Sequence, residues 1–360
     1  MSSLASSVAI SETAVPNSNH GYKLYVGDCI EALRLMADQS VNCCVTSPPY
    51  YGLRDYGVDG QIGLEETPEQ FIARLVEVFR EVRRVLRDDG VLWVNIGDSY
   101  ASRANGSVGN SSDGYNHPHV SHRTKHARRS SHIPNGYKHK DLIGIPWMLA
   151  FALRADGWYL RQDIIWNKPN PMPESVRDRC TKAHEYIFLL SKSRKYFFDN
   201  EALKEDAKTP PMARDKSAEG YQANYAHGDR FSAGERVYGA DGKRNRRSVW
   251  NIATKPYKGA HFAVFPPELI EPCILAGCPV GGVVLDPFGG SGTTAGVAIK
   301  HGRDAVLCEL NPEYAELIPA RIESIVLAKP KKQKKVQAES LPEINDNKTL
   351  DMFAWAEGNL

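Results

Sequence analysis

What the chain lacks narrows its reading first. None of its seven cysteines (29, 43, 44, 180, 273, 278 and 308) forms a CxxC pair. An odd count without paired spacing argues against a secreted disulfide scaffold and fits a reducing compartment. Several sit in apolar runs such as Val41–Val45, where a cysteine serves as a small buried hydrophobe. No apolar stretch approaches the ~18 residues of a membrane span. The first 20 residues have neither a basic n-region nor an apolar core, so they do not read as a signal peptide. No excess of one charge exists either: 45 Lys and Arg stand against 43 Asp and Glu. Global charge therefore excludes neither nucleic acid nor acidic substrates, and only its local distribution informs. These absences point to a soluble, cytoplasmic protein without a membrane partner.

What is present suffices for a sizeable core. Of 360 residues, 42% are hydrophobic and 24% charged; at about 150 residues per domain, the length suits two domains or one large α/β unit with insertions. Residues 1–20 are Ser-rich and aperiodic, read as a disordered lead. Strand and helix signals then alternate. Val41–Val45 reads as a buried strand that stops at Thr46-Ser47-Pro48-Pro49-Tyr50. Pro68–Leu86 carries a helical apolar stripe, opened by Thr67-Pro68 and ended by Asp88-Asp89-Gly90. Further strands are expected at 91–96, 159–166, 185–190, 283–285 and 305–308, and helices at 142–155, 266–276, 293–300 and 314–327. Such alternation predicts an α/β fold, a mostly parallel sheet with helices on both faces.

Two polar stretches interrupt it. Residues 101–140 hold seven Lys or Arg, one acid and six of the eleven histidines, too long a gap for an ordinary connection. Residues 200–248 carry ten Lys or Arg and eight acids, ending in the basic run Lys243–Arg247. Histidines without cysteine partners or helical H-x3-H spacing give no metal site.

Val283-Val284-Leu285-Asp286-Pro287-Phe288-Gly289-Gly290-Ser291-Gly292-Thr293-Thr294 is a strand entering a Gly-rich turn and then a helix. In a doubly wound sheet such a turn lies at the carboxyl edge, where ligands bind. The turn lacks GxGxxG spacing, and the chain has no GxxxxGK(S/T) phosphate loop. A carboxylate at Asp286 would repel a pyrophosphate but can pair with an ammonium group. Glu309, 23 residues on at the next strand end, is placed to accept hydrogen bonds from ribose hydroxyls. An amino-acid end, a ribose and an adenine are what S-adenosyl-L-methionine (AdoMet) presents.

The loop Ser47-Pro48-Pro49-Tyr50 is the second constellation. Paired prolines fix φ and remove two donors, leaving carbonyls as unpaired acceptors beside the Ser47 hydroxyl. Tyr50 adds a flat π-face. This suits a planar ring bearing an exocyclic amine: acceptors take the amine hydrogens and direct its lone pair at a methyl donor.

Together these motifs resemble the amino-group DNA methyltransferases of bacteria and phages, specifically the permuted beta group. In that family a (D/N/S)-P-P-(Y/F/W) motif precedes the AdoMet motif, with target recognition between them. The resemblance covers residues 21–327 and implies a circularly permuted AdoMet-dependent, Rossmann-like fold. It divides the chain into a catalytic half (21–199), a recognition region (200–248), an AdoMet-binding half (249–328) and a basic tail (329–360). It implies catalytic roles for Ser47, Pro48, Pro49 and Tyr50. Tyr25–Cys29 is similar to the segment whose acid approaches adenine, which assigns Asp28 and Cys29 to the cofactor. His261–Pro267 resembles the segment bordering the methionine end, which assigns Phe265 and Pro266. Asp286, Pro287, Phe288, Gly289, Gly290, Ser291, Gly292, Thr293, Glu309 and Leu310 complete that set. Asp163–Asn170 resembles the W-x-K-x-N strand and loop flanking the pocket for the everted base.

The implied reaction is transfer of a methyl group from AdoMet to a flipped base in double-stranded DNA. Serine at the head of the motif favours cytosine N4 within the family, with adenine N6 the alternative. Lys and Arg would grip phosphates, with Arg123, Lys125, Arg128 and Arg129 in the first insertion, Lys168, and Arg244, Arg246 and Arg247 as candidates. A cognate restriction endonuclease is a further candidate partner, and a monomer or homodimer the expected assembly. Two rivals stand beside this: an RNA or protein amino-methyltransferase, and a catalytically silent AdoMet-fold DNA-binding protein.

Overall fold

A computed structural model describes residues 8–16, 18–53, 57–101, 133–207, 242–255 and 265–328. The elements below lie in the unit Met1–Leu327; of the second unit, Ala328–Leu360, only the first residue is described. The strands are β1 (Ala9–Ala14), β2 (Gly21–Val26), β3 (Val41–Thr46), β4 (Leu86–Ile96), β5 (Tyr159–Asn167), β6 (His184–Ser191), β7 (Glu205–Asp206), β8 (Lys243–Arg244), β9 (Val249–Asn251), β10 (Val283–Asp286) and β11 (Asp304–Glu309). The α-helices are α1 (Cys29–Arg34), α2 (Pro68–Val85), α3 (Ile145–Ala155), α4 (Pro267–Gly277), α5 (Thr293–Lys300), α6 (Pro312–Ala315) and α7 (Ile318–Val326).

Among the described residues, nine strands make one sheet in the order β1-β2-β11-β10-β3-β4-β6-β5-β9, while β7 and β8 form a separate antiparallel ribbon. From β2 through β11, β10 and β3 to β4 the neighbours are parallel. β6 runs antiparallel to both β4 and β5, and β1 antiparallel to β2. Side chains alternate between faces along a strand, so a sheet covered on both sides needs apolar residues at every position. Cys44, Leu92, Val94, Phe188, Leu190 and Leu285 join α1–α3 in one core. Their immediate neighbours Cys43, Val91, Trp93, Ile187, Leu189 and Val284 join α4, α5 and α7 in another. The α/β expectation with helices on both faces is met.

Local chemistry explains the helix boundaries. α2 opens with a capping box in which Thr67 Oγ1 accepts from the Gln70 amide and Gln70 Oε1 accepts from the Thr67 amide, each at 3.2 Å. α3 begins after Gly144, whose φ of +85° suits glycine. Its first amides, Gly144 and Ile145, donate to Asp98 Oδ1 at 2.9 and 3.0 Å, placing a carboxylate at the positive end of the helix. The buried cysteines 43, 44, 273, 278 and 308 pack as apolar residues, with burial pushing each thiol above its ordinary range.

Several expectations need correction. Ala9–Ala14, read as part of a disordered lead, is an exposed edge strand paired with β2. The helix expected over 314–327 is two helices separated at Glu316 and Leu317; Pro319 has no amide to bond the carbonyl of Ala315, so a continuous helix would lose a bond there. Residues 86–90, expected to hold the helix end and a turn, already belong to β4. Its register with β3 shifts between the Val41–Leu86 and Cys43–Val91 pairs, an irregularity that takes up the extra residues on β4. Most of the two polar stretches (102–132 and 208–241) lies outside the described residues.

Candidate active site

Four adjacent parallel strands deliver their carboxyl ends to one edge of the sheet. β2 leads into Gly27-Asp28-Cys29, β11 into Leu310-Asn311, β10 into the Gly-rich turn, and β3 into Ser47–Tyr50. All four segments wall a single cavity of about 200 Å³, closed further by Leu53, Val58, Gly60, Gln61, Ile62, Phe265 and Tyr314. Residues 240 positions apart are thus brought together by sheet order alone.

The Gly-rich turn is organised by buried carboxylates. Asp286, 1% exposed, accepts from Thr46 Oγ1 and Thr294 Oγ1, each at 2.6 Å, and from the Phe288 amide at 3.0 Å. It therefore ties the end of β3 to the start of α5, so its first duty is within the protein. Burial raises its pKa while these three donors oppose the rise. Glu309, 9% exposed, accepts from the Gly290 amide at 2.7 Å and the Asn311 amide at 2.9 Å. Burial pushes its pKa up to about 7, the two amides pulling the other way. A buried carboxylate held only by backbone amides is poised for further donors. Asp28 caps α1 through Oδ1, accepting from Ile30 and Glu31 at 2.9 and 3.0 Å, while Oδ2 lies 3.5 Å from Arg74.

On the opposite wall, Pro48 is buried and Ser47, Pro49 and Tyr50 are half-buried. The Tyr50 hydroxyl donates to Glu185 Oε2 at 2.6 Å. The ring packs on Gly97, where an added Cβ would stand 2.6 Å from Tyr50 Cε2.

A family model described as "DNA methylase" matches residues 41–320. The chain is 49% identical over 308 residues to Type II methyltransferase M.Cfr9I of Citrobacter freundii, covering 86% of this chain and 90% of that one. It is also 49% identical to M.SmaI of Serratia marcescens, over 86% and 94% of the two chains. The chain belongs to the N4/N6 DNA methylase family. Among solved structures, a putative DNA modification methylase from Thermus thermophilus, complexed with S-adenosyl-L-methionine, has 26% identity and a TM-score of 0.50 over 85% of this chain and 96% of that one. PvuII DNA methyltransferase (cytosine-N4-specific), at 18% identity and a TM-score of 0.55 over 86% and 94% of the chains, shares the fold.

Of the residues expected in the methylase's site, Ser47–Tyr50 and most of the cofactor set line the one cavity, whereas Pro266 and Gly292 do not. Gly292 instead lets α5 approach α7: its φ is +84°, and a Cβ would stand 2.9 Å from Ile318 Cγ2. Pro266 is buried just before α4. Among the expected DNA contacts, Arg123, Lys125, Arg128 and Arg129 lie outside the described residues, as do His261–Val264. Lys168 is not on an open surface: it pairs with Glu185 and lies 4.3 Å from the Trp166 ring centroid. Arg244 pairs with Glu205 at 2.9 Å, and Arg246 lies over the Trp250 ring at 4.5 Å; Arg247 is exposed. Sequence reasoning missed Ile62, Leu53 and Val58, which sit in a connection without periodicity, and Glu185, a lone acid in a strand.

Proposed function

We propose that this methylase transfers the methyl group of AdoMet to the exocyclic N4 amine of a cytosine everted from double-stranded DNA. One observation carries the reading: Ser47–Tyr50 and the Asp286–Thr293 turn wall the same cavity. The residues present fit the cofactor. Glu309 offers a buried carboxylate for hydroxyl donors, Ser291 and Thr293 bring hydroxyls to the start of α5, and Phe288 and Ile62 give apolar walls. Asp286 keeps acceptor capacity beyond its three protein donors, though its primary role is to join the two loops. Bound AdoMet would supply an electrophilic methyl group: its S–CH3 bond breaks as the N–CH3 bond forms, the sulfur leaves as a neutral thioether, and the proton lost from the amine passes to water.

This chain's own residues do the remainder. The Ser47 hydroxyl and the carbonyls of the Pro-Pro loop accept the amine hydrogens, which favours a pyramidal nitrogen with its lone pair directed outward. The rigid loop holds these acceptors in place before the base arrives, so no reorganisation is needed in the transition state. Tyr50 supplies an aromatic surface for the base. The order of motifs along the chain, Ser47–Tyr50 ahead of Asp286–Thr293, is that of the permuted group, and residues 200–248 occupy the recognition position between them. Serine at the head of the motif supports cytosine over adenine. Incubating the chain with duplex DNA and methyl-labelled AdoMet, then hydrolysing to nucleosides, tests this: label is expected in N4-methylcytosine. Label in N6-methyladenine would reassign the base, and labelled RNA or protein would reassign the acceptor.

A further inference from the structure

Tyr50 has an attachment that neither loop motif explains. Period-two alternation turns Asn95 on β4, Trp166 on β5 and Glu185 on β6 to the face that carries Trp93, Ile187 and Leu189. There Glu185 Oε2 accepts from the Tyr50 hydroxyl at 2.6 Å and from Asn95 Nδ2 at 3.1 Å, while Oε1 accepts from the Lys168 ammonium. Asn95 Oδ1, at 3.5 Å from the same hydroxyl, is the weaker acceptor. Lys168 is in turn fixed over Trp166, whose indole donates to the Ile252 carbonyl at 2.8 Å. Side-chain exposure is only 18% for Lys168 and 15% for Glu185. An ion pair this enclosed is weak evidence for stability, since apolar residues of similar volume commonly serve as well. Its geometry points elsewhere: the chain of bonds runs from β5 through β6 to the loop after β3 and ends on the tyrosine.

We propose that Glu185 is a positioning residue for methyl transfer. It holds the Tyr50 ring at one angle against Gly97, so that the everted base meets a preset aromatic face, and Lys168 holds Glu185. The inference rests on the functional reading above and adds to it a residue outside both motifs. Glu185 acts through the Tyr50 hydroxyl, and that route separates positioning from a merely structural ion pair.

Single-turnover methylation of duplex DNA should be measured for E185Q, E185L, Y50F and the double variants, with AdoMet affinity measured in parallel. A charged acceptor is stronger than a neutral one, so E185Q is expected to be slower by roughly threefold to tenfold and E185L by roughly tenfold to a hundredfold. AdoMet affinity should stay within about twofold, and in the Y50F background both losses should vanish. The isosteric E185Q keeps the test decisive if E185L does not fold. E185Q transferring methyl as fast as the unaltered chain, or Glu185 losses that multiply with that of Y50F, would overturn the proposal. Absence of any methyl transfer to DNA by the unaltered chain would instead refute the functional reading.

Discussion

With Glu309 as the proposed acceptor for the cofactor's ribose, its buried surroundings set an expected pH dependence of AdoMet binding. An ordinary glutamate titrates near 4.3; burial pushes Glu309 up to about 7. In the ligand-free protein the folded state therefore holds a proton that the unfolded chain has lost, between about pH 4 and pH 7. Stability falls as pH rises through that window, by on the order of 3 kcal/mol, and is flat above it. Hydroxyls donated by a ribose favour the charged carboxylate and lower the pKa again. Binding below pH 7 must then expel a proton: about 0.9 at pH 6 and about 0.1 at pH 8 for a group titrating near 7. AdoMet affinity should drop by up to about fivefold between pH 7 and pH 6. Glu309→Gln removes the charge, so it should weaken binding at pH 8 by roughly tenfold to a hundredfold while raising the melting temperature of the free protein. Calorimetry in buffers of different ionisation heat reads the proton count directly. Equal proton release by the unaltered chain and the glutamine variant at pH 6 would refute the reasoning.

The remaining expectations concern the loops and the core. Pro48→Ala or Tyr50→Ala should abolish methyl transfer while leaving AdoMet binding by calorimetry largely intact; an active variant would remove that residue from the chemistry. Asp286→Ala strands the hydroxyls of Thr46 and Thr294 and the Phe288 amide, so it should lower both thermal stability and AdoMet affinity; unchanged binding would count against the cofactor assignment. Phe79→Ala empties a fully buried site under α2 and should cost about 3–5 kcal/mol in denaturant unfolding with little change in rate per folded molecule.

Much of this arrangement was legible because its determinants are local. Alternating apolar strands and capped amphipathic helices declare an α/β sheet, and parallel strands put the loops after β3 and β10 on the same edge once they are neighbours. What escaped was set by tertiary context. β1 is exposed along its whole length, so it offers no buried periodicity to read. The split between α6 and α7 hides beneath an unbroken apolar stripe, and the proline alone marks it. Ile62 belongs to the cavity wall although its connection has no pattern. Asp286 looked like a free acid for a ligand, yet its oxygens are engaged by hydroxyls from residues 240 positions before it and 8 after it. Lys168, expected as a phosphate contact, pairs with Glu185 on the neighbouring strand, a partner that no local pattern shows.

The central claim is that the loops after β3 and β10 serve one reaction centre. A crystal structure of the chain with AdoMet bound tests it most directly. The ribose should lie against Glu309, and the sulfonium methyl should face Ser47–Tyr50. A cofactor bound elsewhere, or with its methyl turned from that loop, would contradict it.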